Sequence, residues 1–125
     1  MSYYFSNTQP IFEQIIECLV VEIANGKYNK DDRIPSVREY ALEFGVNPNT
    51  VQRALTELER MGILYSKRGD GRFVGEIDKA ISTCEKIANQ KAKIYVQEMK
   101  KMGFNCEKVI DLIKEAFNER VITNK

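Results

Sequence analysis

Two helical patterns near the middle of the chain are joined so tightly that few folds can hold them. Val37, Tyr40, Ala41 and Phe44 recur at the three-and-four spacing of a helix with one apolar side, and Gly45 marks its end. Only Val46 separates that stop from Asn47-Pro48, a cap residue followed by proline at the first helical position. Proline suits that position because its φ is already helical and its missing N–H has no partner there anyway. The second helix then turns Val51, Ala54, Leu55, Leu58 and Met61 inward and stops at Gly62. The first opens on Ser36-Val37-Arg38-Glu39, a capping box in which Ser36 and Glu39 satisfy each other's backbone donors. The pair reads as a helix-turn-helix.

The flanks extend the pattern. Pro10 to Asn25 carries a wide apolar stripe that includes Ile11, Phe12, Ile15, Leu19 and Ile23, with Thr8 as a candidate cap and Gly26 as the stop. Lys27 to Ile34 is polar and turn-like, and Asp31-Asp32 reads as a solvated turn. Ile63–Ser66 and Arg72–Val74 suit short strands around Lys67-Arg68-Gly69-Asp70-Gly71, whose glycines permit a tight hairpin. After Gly75 the pattern changes. Asp78 is placed to cap a long helix to Met102, and Asn105 a last helix bearing Val109, Ile110, Ile113 and Phe117. The predicted fold is mainly α with a small β-hairpin. A winged helix-turn-helix domain spans residues 1–75, followed by a two-helix α-helical dimerisation region over residues 76–125.

The outward face of the second helix of the pair holds Asn49, Gln52, Arg53 and Thr56 at i, i+3, i+4 and i+7, opposite the apolar stripe. Packing does not require that mixture, but base edges do: Asn and Gln pair bidentately with adenine, Arg with guanine. Hydroxyls, cationic side chains and helix N-termini meet phosphates. Arg38, Asn49, Thr50, Gln52, Arg53, Arg68 and Arg72 form an ordered array on helices and wing. Taken singly, bland readings stand beside this one. Ser36 and Glu39 serve as a cap, Asn47 caps before it does anything else, and Arg38, Arg68 and Arg72 are ordinary solvated charges.

Composition excludes other classes. The 125 residues contain no histidine, the commonest general base near neutral pH. No GxSxG motif, Walker-type loop or convincing carboxylate pair is present, so no enzyme is expected, and no cofactor. Cys18, Cys84 and Cys106 are three in number and scattered, which is neither a disulfide framework nor a zinc site; each is expected to act as a small apolar residue. No apolar run approaches a membrane span, and the N-terminus lacks a signal-peptide pattern, which makes the cytoplasm the expected location and a membrane an unexpected partner. The net charge is only +1, so nucleic-acid binding must come from local placement of charge.

The motifs Pro10-Ile11-Phe12-Glu13-Gln14-Ile15, Ile34-Pro35-Ser36-Val37-Arg38-Glu39, Gly45-Val46-Asn47-Pro48-Asn49-Thr50-Val51-Gln52-Arg53-Ala54-Leu55, Leu58-Glu59 and Gly69-Asp70-Gly71-Arg72-Phe73-Val74 follow one another in order. Over residues 10–75 the chain resembles the GntR family of bacterial transcription regulators, and its short helical tail resembles the YtrA-type subfamily. The resemblance implies a DNA-binding regulator, expected to be a repressor that meets an inverted-repeat operator as a homodimer. Ser36 is counted among the DNA-binding candidates, and the resemblance gives Arg38 an operator contact, by phosphate or guanine. Asn47, Asn49 and Thr50 would lie at the phosphate backbone, Gln52 and Arg53 nearest the bases, and Gly71 would bring the wing close to the minor groove. Many family members carry Arg where this chain has Gln52, a departure that shifts the expected preference toward adenine. The tail is too short for a second ligand-binding domain, and its stripes suit pairing with a second copy or packing on their own domain. The effector is not legible. The competing class is a winged-helix module that binds protein and not DNA, which would need an apolar exposed patch.

Overall fold

A computed structural model describes residues 5–119. The order is α1 (Ile11–Ala24), α2 (Val37–Phe44), α3 (Pro48–Arg60), β1 (Leu64–Lys67), β2 (Gly71–Val74), α4 (Ile77–Lys101) and α5 (Cys106–Asn118). Two compact units divide between Ile87 and Ala88, inside α4.

Local chemistry sets the helix ends. The capping box of α2 is present in both directions: the Ser36 Oγ accepts from the Glu39 N–H at 3.1 Å, and Glu39 accepts from the Ser36 N–H at 2.8 Å. At the far end Gly45 takes a left-handed φ of 69° and donates to the Ala41 carbonyl at 2.9 Å, a geometry that a Cβ would oppose. The Asn47 Oδ1 accepts from the Asn49 N–H at 2.7 Å, so the cap of α3 stands two residues after that stop and the helix begins at Pro48. Two expected caps are corrected. Thr8 does not cap α1; Pro10 occupies that position without a side-chain cap, and the Thr8 hydroxyl pairs with the Ser6 Oγ at 2.8 Å. The Gln14 amide does the tethering there, donating to the carbonyls of Ser6 and Gln9 and accepting from the Ser6 N–H. Asp78 lies inside the first turn of α4, which starts one residue earlier, where its charge complements the helix dipole. Asn105 does cap α5, through the Lys108 N–H at 2.9 Å.

The segment read as a polar turn has more structure than its side chains suggest. β1 and β2 pair antiparallel from Leu64↔Val74 to Lys67↔Gly71. On the other edge of β2, Arg33 bridges Phe73, the Ile34 N–H reaches the Arg72 carbonyl at 3.0 Å, and the Val74 N–H reaches the Asp32 carbonyl at 2.9 Å. The wing thus has a third, backbone-only edge, which leaves no trace in side-chain periodicity. Asp31 sits in that turn at φ 71° and accepts from the Tyr65 hydroxyl at 2.7 Å.

The core of the first unit gathers α1, α2, α3, the wing and the start of α4. Ile15, Val20, Val51, Ala54, Leu55, Leu58, Ile63, Val74 and Ala80 are wholly buried. Burying a Val, Leu or Ile side chain contributes about 1.5–3 kcal/mol, so the inward face of α3 is a large share of the fold. Tyr40 is buried as well, stacked on Phe44 with its hydroxyl 3.2 Å from that of Tyr28. The burial pushes its phenol far above the ordinary value, so it stays neutral.

The second unit holds the rest of α4 and α5. Met99 and Val109 are buried, whereas Ile94, Met102, Ile110, Ile113 and Phe117 are exposed. The three cysteines are free. Cys18 is half-buried, and burial, with Glu22 beside it, pushes its thiol up to about 11. Cys106 departs from the expected apolar role: it is exposed, in the first turn of α5.

Gly75 is fixed by space. A Cβ there would lie 2.8 Å from the Gly62 carbonyl oxygen and 3.2 Å from that of Ile63, both backbone atoms that cannot swing aside. Gly75→Ala is expected to destabilise the protein by about 1–3 kcal/mol in urea unfolding. An unchanged midpoint would show that the wing and the start of α4 can separate freely.

Candidate nucleic-acid interface

The site follows from how α3 is buried. With Val51, Ala54, Leu55 and Leu58 in the core, the 3.6-residue period leaves Asn49, Gln52, Arg53 and Thr56 in solvent. The helix start lies beside them, where the dipole favours an anion, although its first amides are taken: the Asn49 N–H by the Asn47 side chain and those of Thr50 and Val51 by the Asn47 carbonyl. Asn47 spends its side-chain oxygen on the cap. Asn49, Thr50, Arg38 and Arg68 have no side-chain partner among the described residues, so their donors are available to a ligand. The Gln52 amide donates to the Thr56 hydroxyl at 3.3 Å, a long bond one turn away that an adenine edge could replace.

The remaining cations are engaged. The Arg53 guanidinium lies over the Phe12 ring of α1, 3.7 Å from its centroid. The Arg72 Nε donates to Glu59 on α3, whose other oxygen accepts from the Ser66 Oγ at 2.9 Å. Glu59 therefore ties both wing strands to the helix. Among the wing residues expected to meet phosphate, Arg68 at the turn is free, while Arg72 is held inward with only about a fifth of its side chain exposed. Ser36 is occupied with its cap, although it remains exposed beside Arg38.

Gly71 is exposed, with a φ of 100°, and the Arg33 guanidinium lies against it, 3.3 Å from where a Cβ would stand. Sequence reasoning missed Arg33, because it belongs to a segment without periodicity. The signal that could have found it is its place directly before Ile34-Pro35-Ser36, which brings it onto the wing. Arg33, Arg38 and Arg68 are all exposed cations on the elements that carry the site.

Glu59 makes this arrangement pH-sensitive. Partial burial pushes its carboxyl up, but the bonds from Arg72 and Ser66 outweigh it, and the net shift is downward. A carboxylate with a lowered folded pKa adds stability above its unfolded value and loses it as pH falls through the folded value. Glu59→Gln is expected to be less stable than the parent at neutral pH, and the difference should shrink on acidification below the ordinary carboxylate range. A difference in urea midpoint that does not change with pH would refute this role for the charge.

Residues 11–74, just over half of the chain, match the family "Bacterial regulatory proteins, gntR family". The HTH-type transcriptional repressor YtrA of Bacillus subtilis (strain 168) is 35% identical over 111 residues, covering 87% of this chain and 85% of that protein. A GntR family transcriptional regulator from Listeria monocytogenes has a solved structure with a TM-score of 0.78 and 40% identity, over 89% of this chain and 98% of the other. AraR(DBD) in complex with operator ORX1 superposes with a TM-score of 0.56 at 30% identity, over 60% of this chain and 95% of that one. Winged helix-turn-helix, exposed amide and guanidinium face and short helical tail agree with these likenesses: the chain belongs to the GntR family of bacterial regulators and is of the YtrA type.

Proposed function

We propose that the protein is a transcriptional repressor that binds an inverted-repeat operator as a homodimer, in the cytoplasm. The observation that carries DNA binding is the head of α3. The Asn49 and Thr50 side chains have no partner among the described residues, Gln52 carries one long bond, and α3 is held at both ends, by the Asn47 cap and by the bonds that join Glu59 to the wing. A helix presented this way reads bases with its N-terminal residues in the major groove. Arg38, Arg33 and Arg68 supply phosphate contacts around it, and the exposed Gly71, with the Arg33 guanidinium against it, brings the wing to the minor groove. The family includes a repressor of similar length, YtrA, and a DNA-binding domain whose structure contains an operator.

The dimer is supported by the second unit. Ile94, Met102, Ile110, Ile113 and Phe117 are exposed, and Tyr95, Ile113, Ala116 and Phe117 line a shallow apolar groove. A chain in isolation leaves that surface in water, and patches of this kind mark interaction sites. A two-fold pair formed by residues 76–125 would present two recognition helices to a palindromic site. Sedimentation equilibrium at roughly micromolar concentration is expected to give a dimer; affinities of that order are common for stable pairs. A monomer there would remove the reading of the tail.

Salt dependence tests the DNA reading directly. Each neutralised phosphate contributes a slope of about −0.9 on a log–log plot of affinity against salt, and two protomers double the contacts. The specific complex is expected to show a slope on the order of −4 to −7. Arg68→Ala should flatten it by roughly one to two units while leaving the preferred sequence unchanged. Arg38→Ala should weaken binding by ~1–3 kcal/mol, and Gln52→Ala should relax base preference at one position per half-site. A slope near zero would leave the protein–protein module as the better account.

A further inference from the structure

Arg53 has a nearer partner than DNA, and it does not use it. It borders a cleft between α1 and α3 lined also by Phe12, Glu13, Ile16, Thr56 and Glu57. Glu57 lies one turn further along α3, at the spacing of an intrahelical ion pair. Yet Glu57 is held by Arg60, whose Nε donates to both carboxylate oxygens at 3.0 and 2.9 Å. Arg53 instead lies over the Phe12 ring and makes no hydrogen bond among the described residues. Stacking engages only the flat face of a guanidinium, so its N–H donors, which lie in the plane, stay free.

We propose that Phe12 of α1 is a positioning residue for operator recognition: its ring holds the Arg53 guanidinium on the α1 side of the recognition helix with its donors free for DNA. The proposal rests on the DNA-binding reading above. Two physical effects support it. A guanidinium already fixed in one plane loses less side-chain freedom on binding. The stack and the Arg60–Glu57 pair together also keep Arg53 out of an internal ion pair that would compete with the operator. Phe12 lies outside the helix-turn-helix, so a reading confined to α2 and α3 does not include it. It is partly buried against the core, and leucine at this position keeps apolar bulk there while removing the ring face.

The test uses the full chain and, as probe, duplexes that the wild-type protein enriches from a random library. Phe12→Leu should bind them about three- to tenfold more weakly, the range of a cation–π contact of moderate exposure. Phe12→Tyr, which retains the ring, should bind like the parent. The Phe12→Leu loss should vanish in an Arg53→Ala background, and urea unfolding shows that each variant is folded at the assay temperature. Equal loss in both backgrounds would mark Phe12 as a packing residue only and overturn the proposal, as would undiminished binding by Phe12→Leu or by Arg53→Ala. Failure of the wild-type protein to enrich any duplex is a separate result and would remove the DNA-binding reading itself.

Discussion

Burial of one face of α3 governs the rest of the first unit. Val51, Ala54, Leu55 and Leu58 have no exposed surface, which fixes the rotation of the helix about its axis. Once that rotation is fixed, the helical period leaves no freedom over which residues face outward. The position along the axis is fixed separately. Asn47 sets where the helix begins, Gly45 sets the corner that precedes it, and Glu59 joins its last turn to both strands of the wing. A recognition surface needs this rigidity, because side chains that read base edges must be held by packing rather than by the ligand.

The electrostatics of the site lie in allocation more than in quantity. Residues 1–75 hold 9 Lys/Arg and 10 Asp/Glu, so no broad positive field surrounds the domain. Some carboxylates are committed to neighbours: Glu59 to Arg72, Glu57 to Arg60, Glu39 to the start of α2. Those pairings leave Arg33, Arg38 and Arg68 exposed and Arg53 stacked on an aromatic ring. An exposed ion pair contributes little to stability by itself. Its effect here is on which cations remain available, a consequence that net charge does not reveal.

The two units differ in how completely they bury their apolar residues. The first has a continuous core, to which α4 contributes Ala80, with Cys84 and Ile87 partly buried against it. In the second, Met99 and Val109 are buried while Phe117 is almost fully exposed. α5 has the apolar stripe of a packed helix without burying most of it, which is the physical basis for proposing a second copy as its cover.

By itself the sequence determined the elements that depend on local chemistry. The capping box at Ser36, the Gly45 stop, the Asn47-Pro48 start and the inward stripe of α3 follow from propensities and spacing within a few residues, and the outward face follows from the stripe. Whatever depended on residues distant in sequence was decided by tertiary structure. Thr8 lost its capping role to a chain start arranged by Gln14, and Asp78 fell inside its helix. Asp31–Ile34 joined the wing through backbone bonds that no side-chain pattern records. Arg72, read as a free wing cation, met Glu59 thirteen positions away, while Arg53 met Phe12 across the gap between two helices. Local sequence specifies which groups a helix displays. Only the packing of one element against another determines which of those groups are already occupied, because an ion pair or a stack needs two partners brought to within a few ångströms.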